Sequence, residues 1–445
     1  MNIVIAGAGE VGFHLSNMLS REAHDIVIID TNEEKLDIIV NHMDVKTILG
    51  SATSIKILED ARISSSDLFI AVTSSEEVNI SAAIFAKELG VKTTVSRVSN
   101  HEYLSEKKIS FKKLGIDHII YPEELAAEEI TELIKHPELS EVHDFSNGKL
   151  SLVGLILHPD APTVNKSLID IVSDFPNVNC NAVAIHRNDK TIIPRGNTKF
   201  LANDHVYFIT PPSELDNILK LTGRDTFKVD DIMILGGSKI GKHTAELLQN
   251  NHKIKLIEKD KNKAFQFADS LSKTLVLHGN CNDINFLEEE GLKEMDAFIA
   301  VTGDSETNII ACLMAKRFGI QKTIAAVNNI DYLDLSQNLG IDTLINKKFI
   351  AASKILKYIR KGEVLDITSL PSADAEVLEF IVKDGSNITK SSVKSLNFPE
   401  TAIIGGIIRN NESYIATGDF IIQPDDEVIV FALPGSIQKV EKYFK

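Results

Sequence analysis

Three glycines and one acid carry the chemistry that this chain could do by residue type and spacing. They stand as Gly7-Ala8-Gly9-Glu10-Val11-Gly12, with Asp30 eighteen residues after Gly12. The chemistry they suggest is the holding of a phosphate ester rather than the making of a bond. A first glycine allows a sharp turn, a second lets backbone approach a pyrophosphate, and a third lets a helix pack close to a sheet. The helix N-terminus then offers free N–H groups and a partial positive charge. Asp30 would accept hydrogen bonds from a ribose diol; its plainer use is to cap the next helix, as Thr31 or Asn32 could also do. Ser51 and Ala52 lie in a small polar turn, Gly50-Ser51-Ala52-Thr53, which in such a fold sits beside an adenine. Thr73 ends an apolar run where a backbone or hydroxyl contact to a nucleotide is expected. Arg97 would reach the same crevice and touch phosphate, or else pair with a surface acid. Asp30 and Arg97 are expected to line one crevice with Gly9 at its floor.

The elements that must position these residues are legible. Asn2-Ile3-Val4-Ile5-Ala6 is an apolar run before the glycines, a helical pattern follows to about Ala23, and Ile26-Val27-Ile28-Ile29 ends on Asp30. That order is strand, glycine turn, helix, strand, acid. Thr31 to Val40 predicts a helix, Val45 to Leu49 a strand, and Leu68 to Val72 a buried parallel strand unbroken by polar residues. Ser74 with Glu77 fits a capping box for a helix running to Leu89. Lys92 to Val98 predicts a strand, Asn100 to Lys113 a helical stretch, and His118 to Tyr121 a sixth strand. Pro122 to Lys135 is acidic and amphipathic and predicts a helix lying across the surface or on a partner. From about Val142 short alternating strands replace this rhythm: Leu150 to Leu157, Val183 to His186, Thr191 to Ile193 and His205 to Ile209. Helices around Ser167 to Val172 and Ser213 to Leu221 complete a small α+β lobe, and Gly223-Arg224-Asp225-Thr226 is a polar linker.

The chain is built twice. Gly236-Gly237-Ser238-Lys239-Ile240-Gly241 and Glu258 repeat the first motif, with Gly236 and Gly241 each 229 positions beyond Gly7 and Gly12. Gly279 answers Gly50, Thr302 answers Thr73, Asn308 answers Asn79 and Gly319 answers Gly90. The small lobe returns as well, with Pro399 for Pro176, Gly418 for Gly196 and Asp426 for Asp204. The expected fold class is therefore α/β: two Rossmann-like doubly wound parallel-sheet domains (1–138 and 225–362) alternating with two small α+β lobes (139–224 and 363–445). The copies differ where it matters. Ser238 replaces Gly9, so its Cβ crowds the pyrophosphate path; Ala326 stands in place of Arg97; Lys239 replaces Glu10 and restores charge. The second pocket is expected to bind a different nucleotide or none.

Composition narrows the function. Length 445 asks for several domains, and 43% hydrophobic with 25% charged residues is a globular composition. No apolar run approaches the ~20 residues that span a bilayer. Met1-Asn2-Ile3 enters a strand directly, so no signal peptide and a cytoplasmic location are expected. A net charge of −16 argues against nucleic acid and against docking on anionic lipid. Cys180, Cys281 and Cys312 lack metal spacing and read as core residues; no metal site is expected. A hydride-transfer enzyme would need a proton donor facing the nicotinamide. His186, His205 and Asp204 do not supply one, because the second lobe has Ile408, Glu427 and Asp426 there. No catalytic residue is expected. An NAD-dependent oxidoreductase with an atypical substrate lobe is the alternative, and a scaffold with vestigial pockets a third reading.

The duplication, the Gly7 to Gly12 opening, Ala71-Val72-Thr73-Ser74 followed by Asn79, and Arg97 with Glu102-Tyr103 together resemble the regulatory subunits of Trk potassium-uptake systems. The resemblance covers essentially the whole chain. It implies two pairs of nucleotide-binding RCK/KTN (TrkA-N) and RCK_C (TrkA-C) domains, a homo-oligomer, and no enzyme activity. It implies a peripheral subunit on the cytoplasmic face of the inner membrane that gates an integral potassium transporter of the TrkH/TrkG type. It implies NAD(H) as ligand and, in some members, ATP or ADP. It would place the dinucleotide on Gly7 to Val11, Asp30, Ser51, Ala52, Thr73, Ser74 and Arg97. In the second copy the matching positions are Gly236, Gly237, Ser238, Lys239, Ile240, Glu258, Asn280, Cys281, Thr302 and Gly303.

Overall fold

In the computed structural model the described residues are 1–445 except 21, 23, 101–102, 104–109, 189, 330–331, 333–339, 361–362 and 371–372. The apolar run before Gly7 forms β1 (Asn2–Ala6), and α1 (Glu10–Ser20) follows the glycines. Then come β2 (Asp25–Asp30), α2 (Glu33–His42), β3 (Lys46–Leu49), α3 (Ile55–Asp60), β4 (Leu68–Ala71), α4 (Glu76–Glu88), β5 (Thr93–Arg97), β6 (His118–Ile120) and α5 (Pro122–Lys135). The strands pair in parallel in the order β3-β2-β1-β4-β5-β6. Parallel neighbours need a crossover, which most of the helices supply. The order reverses between β1 and β4, the place where open α/β sheets take ligands. Val4, Ala6, Phe69 and Ala71 pack one face of this sheet against Ala82, Ala83 and Ala86 of α4. The alanines let the helix lie close, and each large buried side chain such as Phe69 contributes about 1.5–3 kcal/mol. Most of the helical stretch expected from Asn100 to Lys113 falls outside the described residues; Phe111–Leu114 forms a short 3-10 turn.

The first small lobe contains β7 (Glu141–Phe145), β8 (Leu150–Ile156), α6 (Leu168–Asp174), β9 (Asn181–Arg187), β10 (Lys190–Ile192), β11 (His205–Thr210) and α7 (Leu215–Thr222). Its sheet is antiparallel, in the order β10-β9-β11-β8-β7. Ser167 and Asp170 form a reciprocal capping box on α6.

The second copy follows as β12 (Asp231–Leu235), α8 (Lys239–Leu248), β13 (Lys253–Glu258), α9 (Lys261–Ser270), β14 (Thr274–His278), α10 (Ile284–Glu289), β15 (Ala297–Ala300), α11 (Ser305–Arg317), β16 (Lys322–Ala326), β17 (Thr343–Ile345) and α12 (Lys347–Leu356). Its parallel order, β14-β13-β12-β15-β16-β17, matches the first. The last lobe has β18 (Glu363–Leu370), β19 (Ala375–Ile381), β20 (Ala402–Arg409), β21 (Glu412–Ile415), β22 (Glu427–Ala432) and α13 (Ile437–Glu441), in the order β18-β19-β22-β20-β21.

The described chain divides into two compact bodies. One holds Met1–Leu125 with Lys347–Arg360; the other holds Ala126–Asn346 with Lys361–Lys445. In the first body α12, which ends the second copy, packs on α1. In the other body the two lobes share one core, in which Phe145, Leu152 and Tyr207 meet Leu370, Val377 and Phe431. The helix α5 differs from expectation. Ala126, Ala127, Ile130, Leu133 and Ile134 are all buried. Glu128 is exposed while Glu123 is buried, and the apolar stripe is wide enough to be a core face.

Candidate functional site

The first glycine loop is shaped by close backbone approaches. Gly7 leaves β1 with φ +114°, and a Cβ there would stand 2.9 Å from backbone atoms of Val72 and Thr73. Only glycine makes that turn without strain. A Cβ on Gly12 would lie 1.9 Å from the Gly7 carbonyl oxygen, so α1 rests directly on the loop. Gly9 is different: among the described residues nothing lies within 4 Å of where its Cβ would stand. The Gly9 carbonyl accepts from Phe13 N at 2.8 Å, which makes it the residue that opens α1. The empty space therefore adjoins the positive end of a helix, a natural seat for an anion.

Asp30 holds this loop. Its Oδ2 accepts from Ala8 N at 2.6 Å and its Oδ1 from Asn32 N at 2.9 Å. A carboxylate offers about four lone-pair directions, so capacity remains for a ribose diol. The cap of α2 is Asn32, which accepts from Lys35 N at 3.0 Å. In the turn after β3 the Ser51 and Thr53 hydroxyls lie 2.8 Å apart. The Ala52 and Val11 side chains are buried in apolar packing, so only their backbone could face a ligand.

Asn79, 1% exposed, ties the ends of β4 and β5 together. Its Oδ1 accepts from Thr73 N at 2.8 Å and from the Thr73 hydroxyl at 2.7 Å. Its Nδ2 donates to the carbonyls of Thr73 at 3.2 Å and Arg97 at 3.0 Å. The Thr73 hydroxyl thus serves the loop. Glu76 adds a second brace, accepting from Ser99 N and Asn100 N at 2.8 and 2.9 Å. Asn79 recurs as Asn308, and a polar residue repeated inside an otherwise apolar helix face is the sequence signal for this brace. The Arg97 Nε is buried and has no hydrogen-bond partner among the described residues. Such a donor costs about 1–3 kcal/mol, which an incoming phosphate oxygen would offset.

One assignment is corrected. Ser75, not Ser74, caps α4: its Oγ accepts from Val78 N at 3.2 Å and donates to Glu77 Oε2 at 2.7 Å. Ser74 is exposed beyond the end of β4. Glu102, part of the resemblance, lies outside the described residues.

The second cradle has the same frame, and several of its polar groups pair within the protein. Gly236 has φ +106°, and a Cβ on Gly241 would lie 2.2 Å from the Gly236 carbonyl oxygen. Ser238 caps α8 by accepting from Gly241 N at 3.2 Å, occupying an N–H that an anion would use. A Cβ on Gly237 would meet the Phe267 ring at 2.4 Å and Glu258 Oε2 at 2.5 Å. Glu258 is 7% exposed and accepts from Asp260 N at 2.7 Å. Lys239 begins α8, and the Ile240 side chain is buried. Asn280 Oδ1 accepts from Asn282 N at 3.1 Å, and the Gly303 carbonyl from Asn328 Nδ2 at 3.2 Å. Asn308 repeats the bracket, taking Thr302 N and Oγ1 at 2.9 and 2.6 Å and donating to Ala326 O at 2.7 Å. Burial, then the nearby Glu258 carboxylate, raises the Cys281 thiol above its ordinary range, which disfavours the thiolate form.

His205 of the first lobe is a core residue. His205 is packed beside Tyr207 and within 2.8 Å of Ser140 Oγ, and burial lowers it to about 3. Asp204 receives the Arg187 guanidinium at 2.6 Å through both Nε and Nη2, and Arg409 with Asp426 repeats the pair at 2.7 Å. Among the described residues no cluster of His, Cys, Asp or Glu could hold a metal ion.

The sequence profile of the TrkA-N domain matches residues 3–122 and 232–347, and that of the TrkA-C domain matches 152–223 and 377–445. The chain belongs to the TrkA family of potassium-uptake proteins. It is 33% identical to the Trk system potassium uptake protein TrkA of Haemophilus influenzae, covering 100% of this chain and 99% of that protein. It is 32% identical to the TrkA homolog 1 of Methanosarcina mazei, covering all of both. The fold is also that of the GsuK RCK domain, with a TM-score of 0.61 at 15% identity over 99% of this chain and 94% of that one. The GsuK channel bound to NAD gives 0.60 at 14% identity, over 99% and 78%. Family membership thus connects this chain to potassium uptake, with each domain type matched twice along it. Among the described residues no helix is long and apolar enough to cross a membrane.

Proposed function

We propose that this chain is a nucleotide-sensing regulatory subunit that gates an integral potassium transporter of the TrkH/TrkG type from the cytoplasmic face, without turning its ligand over. NAD(H) is the ligand of the first cradle, with ATP or ADP as competitors; the four-part division at 138, 224 and 362 is part of this reading. The observation that carries it is the first cradle itself, among the described residues: open space above Gly9 at a helix N-terminus, Asp30 beside it, and a buried Arg97 Nε with no hydrogen-bond partner there. Asp30 and Arg97 would bind ribose and phosphate, Gly9 would admit the pyrophosphate, and Asn79 would keep the loops after β4 and β5 in place. The nicotinamide, if bound, would supply a redox group, while the nearby hydroxyl of Thr73 is spent on the loop. Support for the ligand class comes from structural neighbours described as bound to NAD and to ADP.

A ligand moves a gate only by binding its two states unequally. Calorimetric titration of the whole chain with NADH, NAD⁺, ATP and ADP tests the ligand, and incubation of NADH with candidate carbonyl compounds tests turnover. Binding without NADH consumption is expected; consumption would support the oxidoreductase reading instead.

A further inference from the structure

The first cradle contains a charge that opposes its ligand. Glu10 is the first residue of α1, so its carboxylate lies in the turn whose N–H groups would receive phosphate. With no ligand, an acid there stabilises the helix terminus; with a pyrophosphate arriving, it repels. Its counter-charge comes from far along the chain. Lys348 of α12 places Nζ 2.6 Å from Glu10 Oε2.

Lys348 is held by a packed helix. Next to it, the Phe349 ring lies 5.0 Å from the His14 ring of α1. Lys347 pairs with Glu123 at 2.8 Å, and Arg360 with Glu22 at 2.6 Å, the latter with side chains 1% and 6% exposed. A charge fixed in this way loses less on pairing than one on a freely moving stem. The second copy has no acid to neutralise there, because Lys239 occupies the position of Glu10.

We propose that Lys348 is a positioning residue for nucleotide phosphate: by neutralising Glu10 it makes the Gly9 cradle receptive, so the first site is electrostatically complete only when α12 is docked on α1. The inference rests on the nucleotide reading above and deepens it. Dinucleotide occupancy and α12 docking then favour each other, and a helix belonging to the second copy reports on the first site.

The test is a double-mutant cycle in the full-length chain, read by calorimetry with NADH at low and high salt, with the melting temperature as a check on folding. An unmasked carboxylate in the turn that receives the phosphate, at the effective dielectric typical of charge pairs near a protein surface, costs roughly tenfold in affinity. Lys348→Met is therefore expected to bind about tenfold more weakly, with a deficit that shrinks as salt screens it. Glu10→Gln should bind at least as well as the wild type, and Glu10→Gln/Lys348→Met should return to within about threefold of it. Wild-type affinity in Lys348→Met, a deficit indifferent to salt, or a double variant as weak as Lys348→Met would each overturn the proposal. Failure of the wild type itself to bind NADH would instead remove the nucleotide reading on which it stands.

Discussion

Replacing Gly9 by serine asks whether a pyrophosphate crosses that residue, and the chain already carries the answer's template in Ser238. A Cβ at Gly9 meets nothing within 4 Å among the described residues, so Gly9→Ser creates no clash. A serine opening α1 can cap it as Ser238 caps α8, through the N–H three residues on at 3.2 Å. Serine at this position is better than glycine by a few tenths of a kcal/mol, so the melting temperature should stay within about 2 °C or rise slightly. Binding should fail for the same reason. The new side chain fills the phosphate seat and takes an N–H that phosphate would use. Each charge-assisted bond lost is worth about 1.5–3 kcal/mol, so losing one or two weakens NADH by at least about tenfold to a hundredfold. Calorimetric titration alongside thermal melting reads both effects. Wild-type affinity in a stable Gly9→Ser protein would refute the argument, because the ligand could not then run over Gly9.

Two other perturbations follow from the geometry. Arg97→Gln removes a buried donor that has no partner among the described residues, so folding stability should hold or improve while NADH affinity falls by roughly tenfold or more; unchanged affinity would remove Arg97 from the site. His205, ordinarily near 6.5, is lowered to about 3 by burial, and its neutral ring is what the fold accommodates. Stability is then fully present above pH 6.5 and falls as pH drops towards 3, at up to about 1.4 kcal/mol per pH unit. His205→Gln should flatten that part of a pH-dependent denaturation curve, and an unaltered slope would show that other groups cause it.

Much of this fold was readable because parallel strands buried on both faces are continuous apolar runs, and because the unit occurs twice. The glycine spacing and Asp30 were readable for the same reason: each answers a backbone constraint that few residues satisfy. The α4 cap slipped by one residue. Ser74-Ser75-Glu76-Glu77 offers two equally good patterns, and the choice falls to Asn79, which fixes Thr73 and so sets where the helix begins. The burial of α5 was missed because its acids weigh on composition while its apolar stripe faces inward. Nothing local announces that α12 docks on α1: Lys347, Lys348 and Arg360 read as ordinary surface cations until Glu123, Glu10 and Glu22 are brought opposite them. Likewise Phe267, which lies against Gly237, sits in a helix with no pattern pointing at the loop.

The central claim is that occupancy of the first cradle is itself the signal. Potassium flux through vesicles containing the membrane transporter and this chain, measured against NADH concentration for wild type and Gly9→Ser, tests it most directly. The account predicts that flux changes with NADH at the concentrations where the wild type binds, that no NADH is consumed, and that Gly9→Ser no longer responds. Flux that ignores NADH in the wild type, or a response that survives Gly9→Ser, would contradict it.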